Sequence, residues 1–166
     1  MTNSMGPNVL WLADSLSEVV ELRPGMNVLD LGCGRAVSSI FLAREFGVRV
    51  WATDLWIPAS ENWQRVVEAG CEASVYPIHA EAHALPFAEG FFDALVSVDA
   101  YHYFGTDDRY LGRYFAPLVK DGGQLGIVVP GLDHEFDGDP PQHLVPQWAR
   151  YWDHWTFHSP AWWRRQ

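Results

Sequence analysis

The architecture of this chain can be inferred from one stretch of its sequence, NVLDLGCGRAVSSIFLA at Asn27–Ala43. The stretch predicts a buried strand over Val28–Leu31, a Gly-Cys-Gly turn at residues 32–34 and a helix that begins near Ala36. Strand residues that are apolar on both faces are typical of a parallel sheet covered by helices on each side. A turn without bulk lets a ligand approach its backbone, and the helix behind it presents N–H groups and the positive end of its dipole. We therefore expect a ligand seat at the carboxyl end of the first strand of an open α/β sheet.

Strands and helices alternate along the rest of the sequence. Apolar residues at helical spacing predict further helices over Asn8–Leu22, Glu61–Ala69 and Tyr110–Leu118. Short apolar runs bounded by turn residues predict four further strands, at Val48–Thr53, Val75–His79, Phe91–Val98 and Gln124–Val129. This alternation predicts an α/β fold with a doubly wound, Rossmann-like, mainly parallel sheet of about five strands and right-handed crossovers.

At 166 residues the chain is expected to form a single domain with a substantial core. The predicted strands and helices occupy residues 8–130. Residues 131–166 differ in composition, because an acidic, proline-rich loop is followed by a helical tail that is rich in Trp. In this tail Trp148, Trp152 and Trp155 share one predicted helical face, and Ser159-Pro160 predicts the start of another helix.

The net charge of −10 argues against nucleic acid as a partner, because binding to phosphates requires clustered Lys and Arg. No apolar run is long enough to span a membrane, and no signal peptide is visible at the N-terminus. The two cysteines, Cys33 and Cys71, are expected to be reduced thiols, and no Cys/His spacing indicates a metal site. These features predict a cytoplasmic protein with no membrane partner and no bound metal.

Two features of the glycine turn separate it from turns that bind a dinucleotide. The third glycine of that fingerprint is replaced by Val37, and Asp30 lies two residues before Gly32. A carboxylate at position 30 would repel a pyrophosphate but would suit a ligand that carries a cationic amino group. An alternative interpretation is that Asp30 caps the backbone of the turn, and the two roles are compatible.

Two further carboxylates follow the second and third predicted strands. Asp54, with Leu55 beside it, ends the second strand, where a carboxylate accepts hydrogen bonds from ribose hydroxyls. Glu81 and Ala82 follow the third strand, where a carboxylate can accept from an adenine amino group and the next N–H can donate to a ring nitrogen. The alternatives are a solvated Asp at a strand end and an ordinary loop.

Five segments that follow one another in the sequence carry a family resemblance: VLDLGCGRA, TDLW, AEAHALPF, FFDALVS and LVKDGGQLGIV. Over roughly residues 8–130 they resemble the class I S-adenosylmethionine-dependent methyltransferases, and within these the small-molecule group with a ubiquinone-biosynthesis-like methyltransferase domain. The resemblance implies that S-adenosylmethionine is the cofactor and that a small molecule accepts the methyl group. It implies that Asp54 holds the ribose and that Glu81, where Asp is usual, meets the adenine. The methionine part would be cradled by the turn, through Asp30, Gly32, Cys33 and Gly34.

The sequence also departs from this family. Ala36 stands where the family's turn has a third glycine. The family sheet has seven strands, and its last two, an antiparallel hairpin, are not recognisable in this sequence. We therefore expect a chain that is shortened at its C-terminus, with its fifth strand as an exposed edge. A homodimer through the Trp-rich tail or through the sheet edge would cover that edge.

The residues after the fourth strand are the candidates for catalysis. Asp99, Tyr101 and His102 follow this strand, beside the position that the family resemblance implies for the methyl group. His102 is the candidate general base, which is needed only when the acceptor atom arrives protonated. One alternative places Asp99 against the amino group of the cofactor. Another treats His102 as a loop histidine packed among aromatic residues.

Three functions are compatible with the sequence. The first is a methyltransferase that acts on a small-molecule acceptor, as the ordered segments indicate. The second is a truncated protein that binds the cofactor without catalysis and acts as a regulatory or assembly partner, which the missing strands favour. The third is a nicotinamide-dependent oxidoreductase, which Asp30 and the absent third glycine disfavour.

Overall fold

The computed structural model describes residues 7–139, 141–143 and 156–166. Its contacts divide the chain into two compact units, Met1–Val129 and Pro130–Gln166. The division lies next to Pro130, where the sequence predicts that the α/β core ends and the acidic loop begins.

The first unit is built on a parallel sheet of five strands, in the order β3-β2-β1-β4-β5. This confirms the predicted Rossmann-like α/β fold. Because β2 and β3 lie on one side of β1 while β4 and β5 lie on the other, the winding reverses beside β1, and this is where such sheets bind ligands. The strands are β1 Asn27–Leu31, β2 Arg49–Asp54, β3 Val75–His79, β4 Phe92–Val98 and β5 Val119–Val128.

The α-helices among the described residues of this unit are α1 Val9–Ser17, α2 Val37–Phe46 and α3 Ala59–Glu68. Asn8 caps α1, since its Oδ1 accepts a hydrogen bond from the N–H of Leu10 at 3.1 Å. The helix ends five residues before the predicted Leu22. The chain leaves the helical path there because Val20 packs onto β5, where a Cβ at Gly126 would lie 2.6 Å from Val20 Cγ2.

The core of the first unit lies between these helices and one face of the sheet. Burying a Val or Leu side chain stabilises a fold by roughly 1.5–3 kcal/mol, so this face holds the strands, and with them the edge that carries the site, in one register. The buried residues of this face include Ala13, Leu16, Leu42 and Val66 from the helices and Val28, Val50, Val75, Ala94 and Val96 from the strands.

Two further predictions are wrong. The predicted helix Tyr110–Leu118 is a π-helical segment over Leu111–Phe115 followed by a 3-10 turn over Ala116–Leu118. Pro117 explains the break, because it has no N–H to donate into an α-helix. The fifth strand begins at Val119 instead of the predicted Gln124, because residues 120–123 form a bulge within β5, where the register against β4 shifts between Phe92 and Ala94.

The second unit contains a short helix, α4 Pro160–Trp163. Its start is the predicted one, since Ser159 Oγ accepts a hydrogen bond from the N–H of Trp162 at 3.2 Å. The predicted helical face of Trp148, Trp152 and Trp155 lies outside the described residues. Within the described parts of the chain, no helix is long and apolar enough to cross a membrane.

Candidate functional site

Four acidic side chains lie at the ends of four neighbouring strands. Asp30 and Asp54 are near the carboxyl ends of β1 and β2, Asp99 directly follows β4, and Glu81 follows β3 by two residues. Because the carboxyl ends of parallel strands share one edge, the strand order places them along it as Glu81, Asp54, Asp30 and Asp99. Neighbouring strands are about 4.8 Å apart, so the row spans about 14 Å. The structure therefore brings together the carboxylates that the sequence predicted to share a site.

The glycine turn lies in the middle of this row and is tied to β2. The N–H groups of Gly32 and Cys33 donate to the carbonyl of Thr53, at 2.8 and 3.2 Å. Gly32 has a φ of 76°, and a Cβ at this position would lie 2.3 Å from the Cβ of Ala100. Ala36, where the family has glycine, is also left-handed, with a φ of 58°. Only glycine therefore suits position 32, whereas position 36 accepts a methyl group at a cost in backbone strain.

Asp54 organises the turn and the loop that follows β2. Its Oδ2 accepts the N–H of Gly34 at 2.8 Å, and its Oδ1 accepts the N–H groups of Trp56 and Ile57 at 2.8 and 2.9 Å. A carboxylate offers about four acceptor positions, so one position, at Oδ2, is left over. The predicted contact with ribose stays a prediction, and the structure limits it to a single hydrogen bond. Leu55, next in the chain, is half exposed, and its carbonyl accepts from His79 Nε2 at 2.7 Å.

Asn62 of α3 is a site residue that the sequence analysis missed. Its Nδ2 donates to the carbonyl of Gly34 at 2.9 Å, and its Oδ1 accepts from Arg65 Nη1 at 3.0 Å. The side chain is buried on the same face of α3 as Val66. The available signal was a polar residue on the apolar stripe of an amphipathic helix, since such a residue requires a buried partner.

Asp30 is fully buried, and hydrogen bonds from the described residues reach only one of its two carboxylate oxygens. Its Oδ2 accepts hydrogen bonds from the hydroxyls of Ser38 and Ser39 in α2, at 2.6 and 2.7 Å. Its Oδ1 has no hydrogen-bond partner among the described residues. Burial raises the pKa of this carboxyl from 3.8 to about 6, although the two serine hydroxyls act to lower it. Its bonds go to α2 rather than to the turn backbone, and Oδ1 remains available for a cationic donor.

Glu81 is folded back onto its own loop. Its Oε2 accepts the N–H of His83 at 2.8 Å, and its Oε1 lies 2.7 Å from His83 Nδ1. Burial alone would raise the pKa of Glu81, but the hydrogen bonds from His83 outweigh burial and lower it. Ala82 is buried, and its carbonyl accepts from the hydroxyl of Tyr110 at 3.1 Å. The predicted contact of this loop with adenine stays a prediction.

The three catalytic candidates differ in their surroundings. Asp99 is half-buried and left-handed, with a φ of 58°, and burial raises its pKa. Tyr101 is buried against Tyr110 and Phe115, and burial raises its pKa to about 12, which disfavours its ionised form. His102 is 1% exposed, and burial lowers its pKa to about 4. The ring of His102 lies 4.0 Å from that of Tyr103, in keeping with the interpretation of a packed loop histidine. Its role as a base stays a prediction.

An aromatic contact crosses the end of β1. The rings of Trp56, after β2, and Tyr103, after β4, have centroids 5.5 Å apart and planes tilted by 54°. Because β1 lies between β2 and β4, this pair, which we call the aromatic bridge, spans the end of β1 and its glycine turn. The indole of Trp56 is still 56% exposed. The glycine turn therefore lies beside an apolar cover supplied by the neighbouring loops.

No cluster of three or more His, Cys, Asp or Glu side chains among the described residues could hold a metal ion. Cys33 and Cys71 are free and buried. Burial raises the pKa of Cys33, so the thiol beside Gly34 is neutral.

The chain is similar to methyltransferases. A family model described as a methyltransferase domain matches residues 28–123, more than half of the chain. A demethylmenaquinone methyltransferase of Corynebacterium efficiens is 31% identical over 126 residues, which cover 75% of this chain and 50% of that protein. A tRNA (carboxymethyluridine(34)-5-O)-methyltransferase of Xenopus tropicalis is 26% identical, over 76% of this chain and 19% of that protein. The chain thus spans half or less of the length of these curated relatives.

One solved structure of a methyltransferase that is similar to this chain contains S-adenosyl-L-homocysteine. It is geranyl diphosphate C-methyltransferase of Streptomyces coelicolor A3(2), in complex with Mg2+, geranyl diphosphate and S-adenosyl-L-homocysteine. The two structures agree with a TM-score of 0.77 at 22% identity, over 92% of this chain and 55% of that chain. At this identity the likeness shows a common fold.

Proposed function

This chain belongs to the class I S-adenosylmethionine-dependent methyltransferases, and we propose that it transfers a methyl group to a small-molecule acceptor. The observation that carries the proposal is the row of carboxylates around the glycine turn, with the free, buried Oδ1 of Asp30 at its centre. A buried acceptor without a partner is costly, so a donor from a ligand is expected at that atom.

The residues present are compatible with S-adenosylmethionine. Its ammonium group would be held by Asp30 Oδ1, and its carboxylate would face the N-terminus of α2, which has no side-chain cap. One ribose hydroxyl would donate to the remaining acceptor position of Asp54 Oδ2. The adenine would lie toward Glu81, one strand further along the row. Such a placement matches the ammonium group, one ribose hydroxyl and the adenine amino group of the cofactor with acceptors of this chain.

The chemistry of this site needs positioning more than activation. When bound, the cofactor supplies a methyl group that its sulfonium has already activated. The aromatic bridge would shield part of the bound cofactor from water, which favours methyl transfer. Among the described residues at the β4 end of the row, His102 and Asp99 could accept a proton from the acceptor.

A small molecule is the acceptor that the charge of the chain favours. The sequence carries 21 acidic residues against 11 Lys and Arg, and a polyanionic acceptor would be repelled. The relative of Corynebacterium efficiens is named for a small-molecule reaction, whereas that of Xenopus tropicalis is named for a tRNA reaction. The tRNA acceptor is therefore the second candidate, and the charge disfavours it.

Transfer of a radiolabelled methyl group tests the proposal. The protein is incubated with methyl-labelled S-adenosylmethionine and with either a small-molecule extract or total tRNA. We expect label in the organic small-molecule fraction and none above background in tRNA. Label in tRNA alone would overturn the choice of acceptor. Binding of the cofactor without transfer to either fraction would favour the alternative of a cofactor-binding protein without catalysis.

A further inference from the structure

Gly34 is held by side chains on both of its polar backbone groups. Its N–H donates to Asp54 Oδ2 at 2.8 Å, and its carbonyl accepts from Asn62 Nδ2 at 2.9 Å. Asp54 comes from the end of β2 and Asn62 from the first half of α3. Two elements that are separate in the sequence therefore converge on one residue of the turn.

This residue needs side chains because the sheet does not hold it. The N–H groups of Gly32 and Cys33 are bound by the backbone of β2, through the carbonyl of Thr53. Gly34 is the next residue and has a φ of 53°, in a region that glycine visits and leaves readily. Without Asp54 and Asn62, its peptide groups would sample several orientations, and a ligand would have to order them on binding.

Asn62 is itself fixed in the orientation that this contact needs. Its Oδ1 accepts from Arg65 Nη1 at 3.0 Å, and Arg65 also lies 3.5 Å from Glu61 Oε2. Only the amide nitrogen can donate to the carbonyl of Gly34, so the assignment of the two amide atoms follows from the partners. An apolar residue would fill this buried helix position at lower cost, because a buried amide loses its water and Asn is a poor helix former.

We propose that Asn62 is a positioning residue for the cofactor, which together with Asp54 preorganises Gly34 in the conformation that binds. The inference rests on the proposed function, because it takes S-adenosylmethionine as the ligand of the turn. It assigns to α3 a role in binding that lies outside the turn and the strand ends.

The test compares Asn62→Leu with Val66→Ala, a variant on the same buried face of α3 whose native side chain cannot form a hydrogen bond with Gly34. The dissociation constant of S-adenosylhomocysteine is measured by calorimetry, and the free energy of unfolding is measured in urea on the same samples. We expect Val66→Ala to be destabilised, whereas only Asn62→Leu weakens binding, by about tenfold or about 1.4 kcal/mol. Equal dissociation constants for Asn62→Leu and the unchanged protein would overturn the inference. So would an equal weakening in Val66→Ala, because it would show an effect of stability alone.

A second measurement keeps the inference testable if the unchanged protein does not bind S-adenosylhomocysteine, a result that would count against the proposed function instead. Amide hydrogen exchange at Gly34 is followed by NMR in the protein without ligand. Loss of the Asn62 contact should accelerate exchange at Gly34 in Asn62→Leu more than in Val66→Ala. Equal exchange at Gly34 in the two variants would show that Asn62 does not fix the turn.

Discussion

The indole of Trp56 lies against the phenol ring of Tyr103, with centroids 5.5 Å apart, although the two residues follow strands that are not neighbours. Their contact spans the end of β1, which carries the glycine turn and the half-satisfied carboxylate of Asp30. We therefore expect a ligand bound at this turn to lie beside the aromatic bridge. The bridge links the loops after β2 and β4, so we expect it to slow the entry and the release of such a ligand.

Replacing either ring of the bridge by a leucine side chain should accelerate the release of S-adenosylhomocysteine. An aromatic pair contributes about 0.5–1.5 kcal/mol beyond its buried area, which corresponds to a two- to tenfold faster release in Trp56→Leu or Tyr103→Leu. Because either change removes the pair, the double variant should release the ligand no faster than the more affected single one. Stopped-flow displacement measures these rates, with Trp63→Leu, an exposed tryptophan of α3, as the control. Unchanged release in both single variants would show that the bridge does not cover the ligand.

Replacing Gly32 by alanine should destabilise the fold through two separable effects. The left-handed φ of 76° costs about 1–2 kcal/mol, and the clash with the Cβ of Ala100 adds about 1–3 kcal/mol. The double variant Gly32→Ala/Ala100→Gly should relieve the clash but keep the backbone strain, so it should recover only part of the lost stability. Gly25→Ala is the matched control, because its φ is 84° and a Cβ there meets nothing within 4 Å. Denaturant unfolding measures all of these, and a Gly32→Ala variant no less stable than Gly25→Ala would contradict the close approach to Ala100.

Asp30 should make the protein less stable as the pH rises. Its pKa in the folded state, about 6, lies above its ordinary value of 3.8, so its favourable contribution is complete below about pH 4 and is lost as the pH rises through 6. At about 1.4 kcal/mol for each pK unit, the loss is roughly 3 kcal/mol. We expect Asp30→Asn to be more stable than the unchanged protein at pH 7.5 and to bind S-adenosylhomocysteine more weakly.

Unfolding in urea between pH 4.5 and pH 7.5 measures this dependence. Asp93→Asn is a control of opposite sign, because hydrogen bonds from Lys120 and Asn27 outweigh burial at Asp93 and lower its pKa. That variant should lose stability at neutral pH, where the carboxylate is ionised and paired with Lys120. A lower free energy of unfolding for Asp30→Asn than for the unchanged protein at pH 7.5 would contradict the destabilising effect of the buried carboxylate.

If His102 takes the proton of the acceptor, the rate of methyl transfer should not change between pH 6 and pH 8. Its pKa of about 4 keeps the ring neutral throughout this range, and the rate should fall only toward pH 4. A general base typically contributes at least about a hundredfold, so His102→Gln should lower kcat by that factor and leave the dissociation constant of S-adenosylhomocysteine unchanged. A pH profile with an inflection near 6.5 would contradict the assignment, and so would full activity of His102→Gln.

The parts of the fold that are local in sequence were predictable. The strand and turn around Gly32 and the start of a helix at Ser159-Pro160 are encoded by neighbouring residues, and the structure confirms them. The alternation of strands and helices restricts the topology to few choices, so the parallel sheet followed as well.

The parts that depend on tertiary contacts were not predictable. The bond between Asn62 and Gly34 joins residues 28 positions apart, and the aromatic bridge joins two loops that the sequence could not place face to face. The predicted end of α1 was wrong because Val20 packs against Gly126 of β5, a partner more than a hundred residues away. Helical periodicity cannot report such partners, because it records only which positions are apolar.

The most direct test of the account is a calorimetric titration of the protein with S-adenosylhomocysteine at pH 7.5. The account predicts saturable binding to one site per chain, which is weakened by Asp30→Asn and by Asn62→Leu but not by Val66→Ala. Titration without saturable heat in a folded sample would contradict the assignment of the row of carboxylates as a cofactor site, and with it the proposed methyl transfer.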